Sequence, residues 1–276
     1  STYWTPWKRR RDKRDLSLRE ILAHQAGLRP YIVFLQDVQK KRGKGARERP
    51  KRFKKRFIRD HPGARFQKPA YQDLYVRNRF VRKMYRKINR SGVSDAREYR
   101  YSGLSFLLFP ALVEQLSGQP FEAFLNANIY GPIGIRQLVF LPASRLPQAR
   151  VVPTEYDSLY RGALVRGWVH DENASLMGGI SGNAGLFGTA GDLAALMQCY
   201  ADYGRFGGRQ ILDSAVVAEF ARVQYPENEN RRGLGFDKPL LGNDTLSLQE
   251  AYPAPLANPE SFGHSGFTGT FVWADP

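Results

Sequence analysis

The sequence predicts a mixed α/β (α+β) chain in which short helices group against a terminal antiparallel sheet. Three observations carry this. Apolar residues recur at helical spacing in Leu104, Leu107, Leu108, Ala111, Leu112 and Leu116, and Gly118 closes the run. Gly-rich turns and short strand-like runs separate this segment from other helical ones. The last fifteen residues, Phe262 to Pro276, read as a β-strand ending in a turn. Phe267, Phe271 and Trp273 alternate there, and Gly263, Gly266 and Gly269 leave the backbone bare enough for a ligand to come close.

Each helix has a local reason. Ser17-Leu18-Arg19-Glu20 is a capping box: the Ser17 hydroxyl serves the helix N-terminus and Glu20 reaches back to it, with Gly27 as the stop. Residues 39–70 are basic, punctuated by Pro and Gly and poor in aliphatics, and read as an extended or partly disordered excursion. From Asp73 to Asn89 an amphipathic helix is predicted, with Leu74, Val81, Met84, Tyr85 and Ile88 on one side and Arg/Lys on the other. Pro110 should kink the helix of Leu104–Leu116. Pro120 starts the next one, Thr189-Ala190-Gly191-Asp192 caps another, and Asp213 or Ser214 begins one more. No internal repeat of fixed period is present.

A chain of 276 residues can bury a substantial core. No apolar run approaches the ~20 residues that span a bilayer, so no membrane span is predicted. Cys199 is the single cysteine, which excludes an intrachain disulfide, and its neighbours Leu193, Leu196, Met197 and Tyr200 mark it as a core residue. The four histidines are far apart and none pairs at i, i+4, so no metal and no cofactor is expected. The net charge of +16 belongs to one segment: residues 40–100 hold 23 Lys/Arg against 5 Asp/Glu, whereas residues 101–276 are net acidic. That disfavours nucleic-acid binding as the main role. Interleaved Phe53, Phe57, Phe66 and Tyr71 could stack on nucleotides or meet an anionic membrane, although a solvated basic face accounts for the segment more simply. Salt-sensitive docking of residues 40–100 on an anionic polymer is the corresponding partner hypothesis.

Several chemistries are excluded. No Gly-x-Ser-x-Gly, Walker A or dinucleotide fingerprint occurs. What remains is a series of spaced blocks. They are Leu18–Leu28 with its His24-Gln25-Ala26-Gly27, then Tyr101-Ser102-Gly103-Leu104, Leu116–Phe121 and Gly131-Pro132-Ile133-Gly134-Ile135. Val169-His170-Asp171-Glu172-Asn173-Ala174, Gly182–Leu193 and Gly263-His264-Ser265-Gly266 complete the series. In this order they resemble the serine β-lactamase-related family: class C β-lactamases, DD-peptidases and esterases of one fold. The block Asn230–Pro239 and the His-Gln-Ala-Gly-Leu run look most like members fused behind a family 3 glycoside hydrolase domain in Bacteroidetes-like bacteria.

The resemblance implies an antiparallel sheet with flanking helices and a helical domain, in a bacterial envelope or periplasmic hydrolase. Residues 1–276 would form one partial domain, with residues 40–100 as a basic insertion or lid. It also implies an acyl-enzyme mechanism on an ester, amide or peptidoglycan-type bond, in which a serine from Ser-x-x-Lys attacks and two N–H groups hold the oxyanion. Carried over by position, Tyr101 and His264 would be catalytic. Ser102, Gly103, Ser265, Gly266, Phe267, His170 and Asp171 would line the substrate site, with Phe267 N–H as an oxyanion donor. A tyrosine titrates near ~10 and would act as a base only if neighbouring cations lowered its pKa. His170-Asp171 reads equally well as a structural pair.

Two departures stand out. Gly103 occupies a position where the family has Asn or Asp, and no Ser-x-x-Lys occurs in the 276 residues. The missing motif reads as that of a fragment cut at both ends and inert by itself, whereas Gly103 and Pro110 lean toward the rival reading. The rival hypothesis is a non-catalytic pseudo-hydrolase that binds a cell-wall or anionic polymer ligand.

Overall fold

The computed structural model describes residues 13–40, 53–94 and 96–276. In chain order the elements are α1 (Leu18–Leu22), α2 (Leu35–Val38), β1 (Ile58–Arg59), β2 (Lys68–Tyr71), β3 (Leu74–Val76), α3 (Arg79–Arg90), α4 (Phe109–Ser117), α5 (Phe121–Leu125) and α6 (Gly131–Ile133). They continue with β4 (Val139–Phe140), β5 (Tyr156–Asp157), β6 (Ala163–Leu164), α7 (Glu172–Leu176), β7 (Leu186–Phe187), α8 (Ala190–Ala201), β8 (Arg205–Phe206), β9 (Arg209–Gln210), α9 (Ser214–Ala221), β10 (Phe262–Ser265) and β11 (Phe271–Ala274). Among the described residues every strand pairing is antiparallel: a three-stranded sheet in the order β1-β3-β2, and the pairs β10-β11, β4-β7, β5-β6 and β8-β9.

Local chemistry fixes the helix starts. Ser17 Oγ accepts from Glu20 N while the Glu20 carboxylate accepts from Ser17 N at 2.7 Å, a complete capping box. Thr189 caps α8 through Asp192 N, and Asp213 caps α9 through Val216 N. Pro110 does not kink a long helix. Residues Phe106–Leu108 form a 3-10 turn, α4 starts at Phe109, and Pro110 sits in its first turn, where no N–H is needed.

The basic segment differs from its reading as an extended excursion. Residues 41–52 lie outside the described part, but 53–94 build the three-stranded sheet and α3. The helix predicted from Asp73 starts six residues later, because Leu74–Val76 pairs as a strand with both β1 and β2. Phe80, Met84 and Ile88 of α3 point into the largest core cluster beside Ile21, Phe34, Val38, Val76, Leu104 and Leu107. The C-terminal carbonyls of α3 receive the buried Lys13 ammonium, which donates to Ile88 O at 2.7 Å and Asn89 O at 3.2 Å. A cation is favoured at that end of a helix.

The C-terminal segment is a hairpin and not one strand. β10 pairs with β11 in the register Phe262↔Ala274 through Ser265↔Phe271, and residues 266–270 turn between them. Phe262 and Ala274 pack with Met197 of α8 and Ala221 of α9, which fixes the hairpin against the helices. Phe267, at the turn, is 92% exposed, so the alternation that would bury it ends at the strand.

Because Phe80 is 1% exposed at the centre of the large cluster, Phe80→Ala should cost about 3–5 kcal/mol. Arg82→Ala, on the solvent face of the same helix, should change stability by less than about 0.5 kcal/mol. Urea denaturation of both variants checks the pair.

Candidate active site

The site begins at the end of α1. His24 takes a left-handed backbone conformation, φ 57°, and is buried. That geometry turns its carbonyl to accept from Arg100 N at 2.9 Å and its Nδ1 to accept from Ser102 N at 3.1 Å. The Ser102 hydroxyl donates to Arg29 O at 2.7 Å. Gly27, at φ +60°, brings its backbone against residue 94: Ser94 N donates to Gly27 O, and a Cβ at Gly27 would lie 2.9 Å from Ser94 O. The loop through residues 97–104 is thereby pinned to the α1 block, and it presents Tyr101, half exposed, with its ring 4.3 Å from the His24 ring.

A second strut arrives from residues 230–237. Asn230 is buried. Its amide donates to Ala23 O at 2.9 Å and Gln25 Oε1 at 2.8 Å, and its Oδ1 accepts from Arg232 N at 2.9 Å. Asp237 pairs with Gly263 of β10 through two backbone hydrogen bonds of 2.7 and 2.9 Å. Arg232 is thus held between loop and hairpin. Its guanidinium is 3.5 Å from Asp237 Oδ1, lies 5.2 Å from the Tyr101 ring centroid, and donates through Nη1 to His264 Nε2 at 3.1 Å. Arg231 takes both Asp237 oxygens, at 2.9 and 3.1 Å.

These contacts set protonation states. An arginine only donates, so His264 Nε2 accepts and the ring proton sits on Nδ1, which donates to Ser265 O at 2.7 Å. These two contacts hold the His264 ring in one orientation. His24 is pushed down to about 3 by burial, with the Arg232 charge adding to the effect and Asp237 opposing it. The Tyr101 hydroxyl is raised by burial, and Arg232 offsets only part of this. The cation expected to make it a phenolate is present, but desolvation prevails, so Tyr101 is a neutral hydroxyl at pH 7.

The structure brings Tyr101 and His264 together, with ring centroids 6.2 Å apart. Ser265, Gly266 and Phe267 follow on the exposed tip of the hairpin. There Gly266 N is spent on Thr270 O, while Phe267 N–H has no partner among the described residues. His170 reaches the same tip, its ring 5.4 Å from that of Phe267. It is held by Thr154 Oγ1 at 3.1 Å and Glu155 Oε1 at 3.3 Å, and the buried Arg161 fixes its backbone carbonyl. Asp171 does not pair with His170; its carboxylate caps α7 through Ala174 N at 2.7 Å. Ser102 is buried and braces the loop from inside. A Cβ at Gly103 would meet nothing within 4 Å, so the position has room for the side chain it lacks.

Arg232, Asn230 and Asp237 are the residues that reading the sequence for chemistry missed. Their signal, the run Asn230-Arg231-Arg232-Gly233-Leu234-Gly235-Phe236-Asp237, is visible as a motif, but its contacts span more than 130 residues to Tyr99. Among the described residues no group of His, Cys, Asp and Glu could hold a metal ion, and no helix is long and apolar enough to cross a membrane.

Antiparallel strands flanked by helices, with a loop tyrosine facing a His-Ser-Gly hairpin, define a β-lactamase/transpeptidase-like fold. The chain belongs to the Beta-lactamase family, whose model matches residues 1–276. It is 33% identical over 189 residues to a protein of Escherichia coli (strain K12) whose provisional name is D-alanyl-D-alanine carboxypeptidase; the match covers 64% of this chain and 42% of that protein. The chain thus spans well under half the length of that relative. Two crystal structures share the fold. A novel penicillin-binding protein homologue from Caulobacter crescentus superposes with a TM-score of 0.56 at 18% identity, covering 100% of this chain and 66% of the other. A provisionally assigned β-lactamase from Bacteroides dorei superposes with a TM-score of 0.55 at 17% identity, covering 99% and 64%.

His24 binds protons less readily in the fold than in the unfolded chain, so between pH ~6.5 and ~3 unfolding takes up a proton. Stability should therefore fall as pH drops through this window, by at most about 1.4 kcal/mol per pH unit from this group. His24→Gln should flatten that part of the slope, read by urea denaturation at pH 7, 6, 5 and 4.

Proposed function

We propose that the chain carries the tyrosine and histidine side of an acyl-transfer site. The parent activity would be hydrolysis of an ester, amide or peptidoglycan-type bond through an acyl-serine. The observation that carries this is the convergence of Tyr101, Arg232 and His264 at the hairpin whose turn holds the Phe267 N–H, which has no partner among the described residues. The carboxypeptidase name of the E. coli relative supports a D-alanyl-D-alanine type of substrate.

In this reading a serine attacks the acyl carbonyl and the carbonyl oxygen becomes an oxyanion. Phe267 N–H donates to that oxyanion, together with the N–H of the nucleophile. The neutral Tyr101 hydroxyl relays the serine proton toward the leaving group, gaining one proton as it gives another. Arg232 holds the His264 ring in one orientation, so the hairpin edge presents a fixed imidazole. The exposed hydroxyl of Ser265 is a substrate contact, and His170 borders the same tip.

Ser-x-x-Lys is absent from the 276 residues, so the chain alone should bind but not acylate. With an excess of fluorophosphonate or penicillin, intact-mass spectrometry should find no adduct. Titration with an acyl-D-alanyl-D-alanine peptide should shift the NMR signals of the Tyr101 ring, the His264 ring and the Phe267 amide. A covalent adduct at a defined serine refutes the missing-nucleophile part of the reading. Peptide-induced shifts confined to another surface refute the site.

A further inference from the structure

The charge of residues 53–94 is sorted by the fold into two groups. Three of its five lysines are used internally: Lys54 Nζ donates to Asp37 O at 2.8 Å, and Lys83 and Lys87 lie 3.3 and 2.6 Å from the Asp37 carboxylate. The arginines are not. Arg65, Arg77, Arg79, Arg82, Arg86 and Arg90 have no acidic partner among the described residues, and all but the half-buried Arg77 are exposed.

Their arrangement is ordered. Arg79, Arg82, Arg86 and Arg90 follow one another at spacings of three, four and four residues on the side of α3 opposite Phe80, Met84 and Ile88. At about 1.5 Å rise per residue this is a row about 16 Å long with a guanidinium every 5–6 Å. At its N-terminal end Ala64, Arg65, Arg77, Asn78 and Arg79 line a cleft of about 280 Å³. The cleft is framed without the guanidiniums. Asn78 N donates to Arg65 O at 2.9 Å, and the Asn78 side chain bonds Gln67 N, Gln67 Oε1 and Ala64 O. Arginine forks on a fixed frame suit phosphate oxygens.

The row opposes helix stability. Like charges at i, i+4 repel, and Arg79 stands in a first turn that holds no acidic residue, the end where a cation is disfavoured. A face selected for solubility alone would mix both signs. The ligand is further narrowed by what is missing. Phe66 and Tyr71 are buried, Phe57 is half-buried, and Arg56 and Arg59 already cover the Phe57 and Phe66 rings at 4.8 and 4.7 Å, so bases find no stacking platform. No exposed large hydrophobic residue falls between 53 and 94, so nothing there inserts into a lipid surface.

We propose that the Arg65–Arg77–Arg79 cleft and the arginine row of α3 form a binding site for a linear, base-free phosphate polymer. The proposal is independent of the acyl-transfer reading, since it uses no residue of that site. The test is fluorescence anisotropy with end-labelled inorganic polyphosphate against the whole chain. Competitors are orthophosphate, oligo(dT) of equal charge and phosphatidylglycerol vesicles. Log K should fall with log[salt] with a slope of about −3 to −4, as expected for five to six neutralised phosphates on a flexible chain. Arg77→Ala/Arg79→Ala and Arg82→Ala/Arg86→Ala should each weaken binding about tenfold or more and reduce the slope by about 1.4. Arg205→Ala/Arg209→Ala, in the exposed β8–β9 hairpin, should leave both unchanged, and unaltered circular dichroism certifies the folds. Orthophosphate should compete only at far higher phosphate concentration. Equal losses in all three double variants overturn the site, as does binding insensitive to salt. Tighter binding of oligo(dT) or of vesicles than of polyphosphate overturns the ligand class.

Discussion

The site depends on how the chain leaves α1. Once the capping box has set that helix, His24 enters the left-handed region, and from there one residue holds the loop through both its backbone and its side chain. Its carbonyl and its ring nitrogen hold the backbone of Arg100 and Ser102, more than seventy residues away, and its ring supports Tyr101. Burial keeps that ring neutral, which is necessary for Nδ1 to accept a hydrogen bond. A charged His24 would lose the acceptor and place a cation beside Arg232. Asn230 ties the same block to the second strut, so two separated segments share one short stretch as their reference.

Electrostatically the centre is organised by one buried guanidinium. Arg232 is close enough to Asp237, His264 and Tyr101 to act on all three, and its effects differ by partner. Toward Asp237 it shares a carboxylate with Arg231. Toward His264 it fixes a tautomer. Toward Tyr101 it lowers the hydroxyl pKa, but less than burial raises it. The consequence is a pocket edge of hydrogen-bond donors and acceptors backed by two guanidiniums that share one carboxylate. Such an edge moves protons through hydrogen bonds without holding a standing phenolate.

What the sequence made legible was local. The Ser17–Glu20 box, the Thr189 and Asp213 caps and the Gly118 stop depend on residues three or four apart, and each stands where its spacing places it. The start of α3 was misplaced because Leu74 and Val76 fit a helical face and a short strand equally well, and only the pairing with β1 and β2 decides. Ser102 and Asp171 show the same limit within the site. Their positions in the motifs are right, yet Ser102 is turned to Arg29 O and Asp171 to the α7 N-terminus. Such polar side chains find backbone partners that no motif encodes. Arg232 and Asn230 stand in a run the sequence shows, but their roles depend on partners 133 and 207 residues away.

The same core accounts for why so much positive charge is tolerated near a site built on fine proton balance. The inner face of α3 and the loop leading to Tyr101 meet in one hydrophobic cluster, where Phe80, Met84 and Ile88 join Ile21, Leu104 and Leu107. The arginines of α3 stand on the side of the helix opposite that layer, and Lys83 and Lys87 are absorbed by Asp37. Exposed charges separated by more than about 8–10 Å are largely screened at physiological salt. The pocket is therefore governed by Arg232 and its neighbours, and the outer face of α3 is free to carry a charge density that helix stability alone disfavours. One helix thus keeps two electrostatic tasks apart, by giving its apolar stripe to the core that both share.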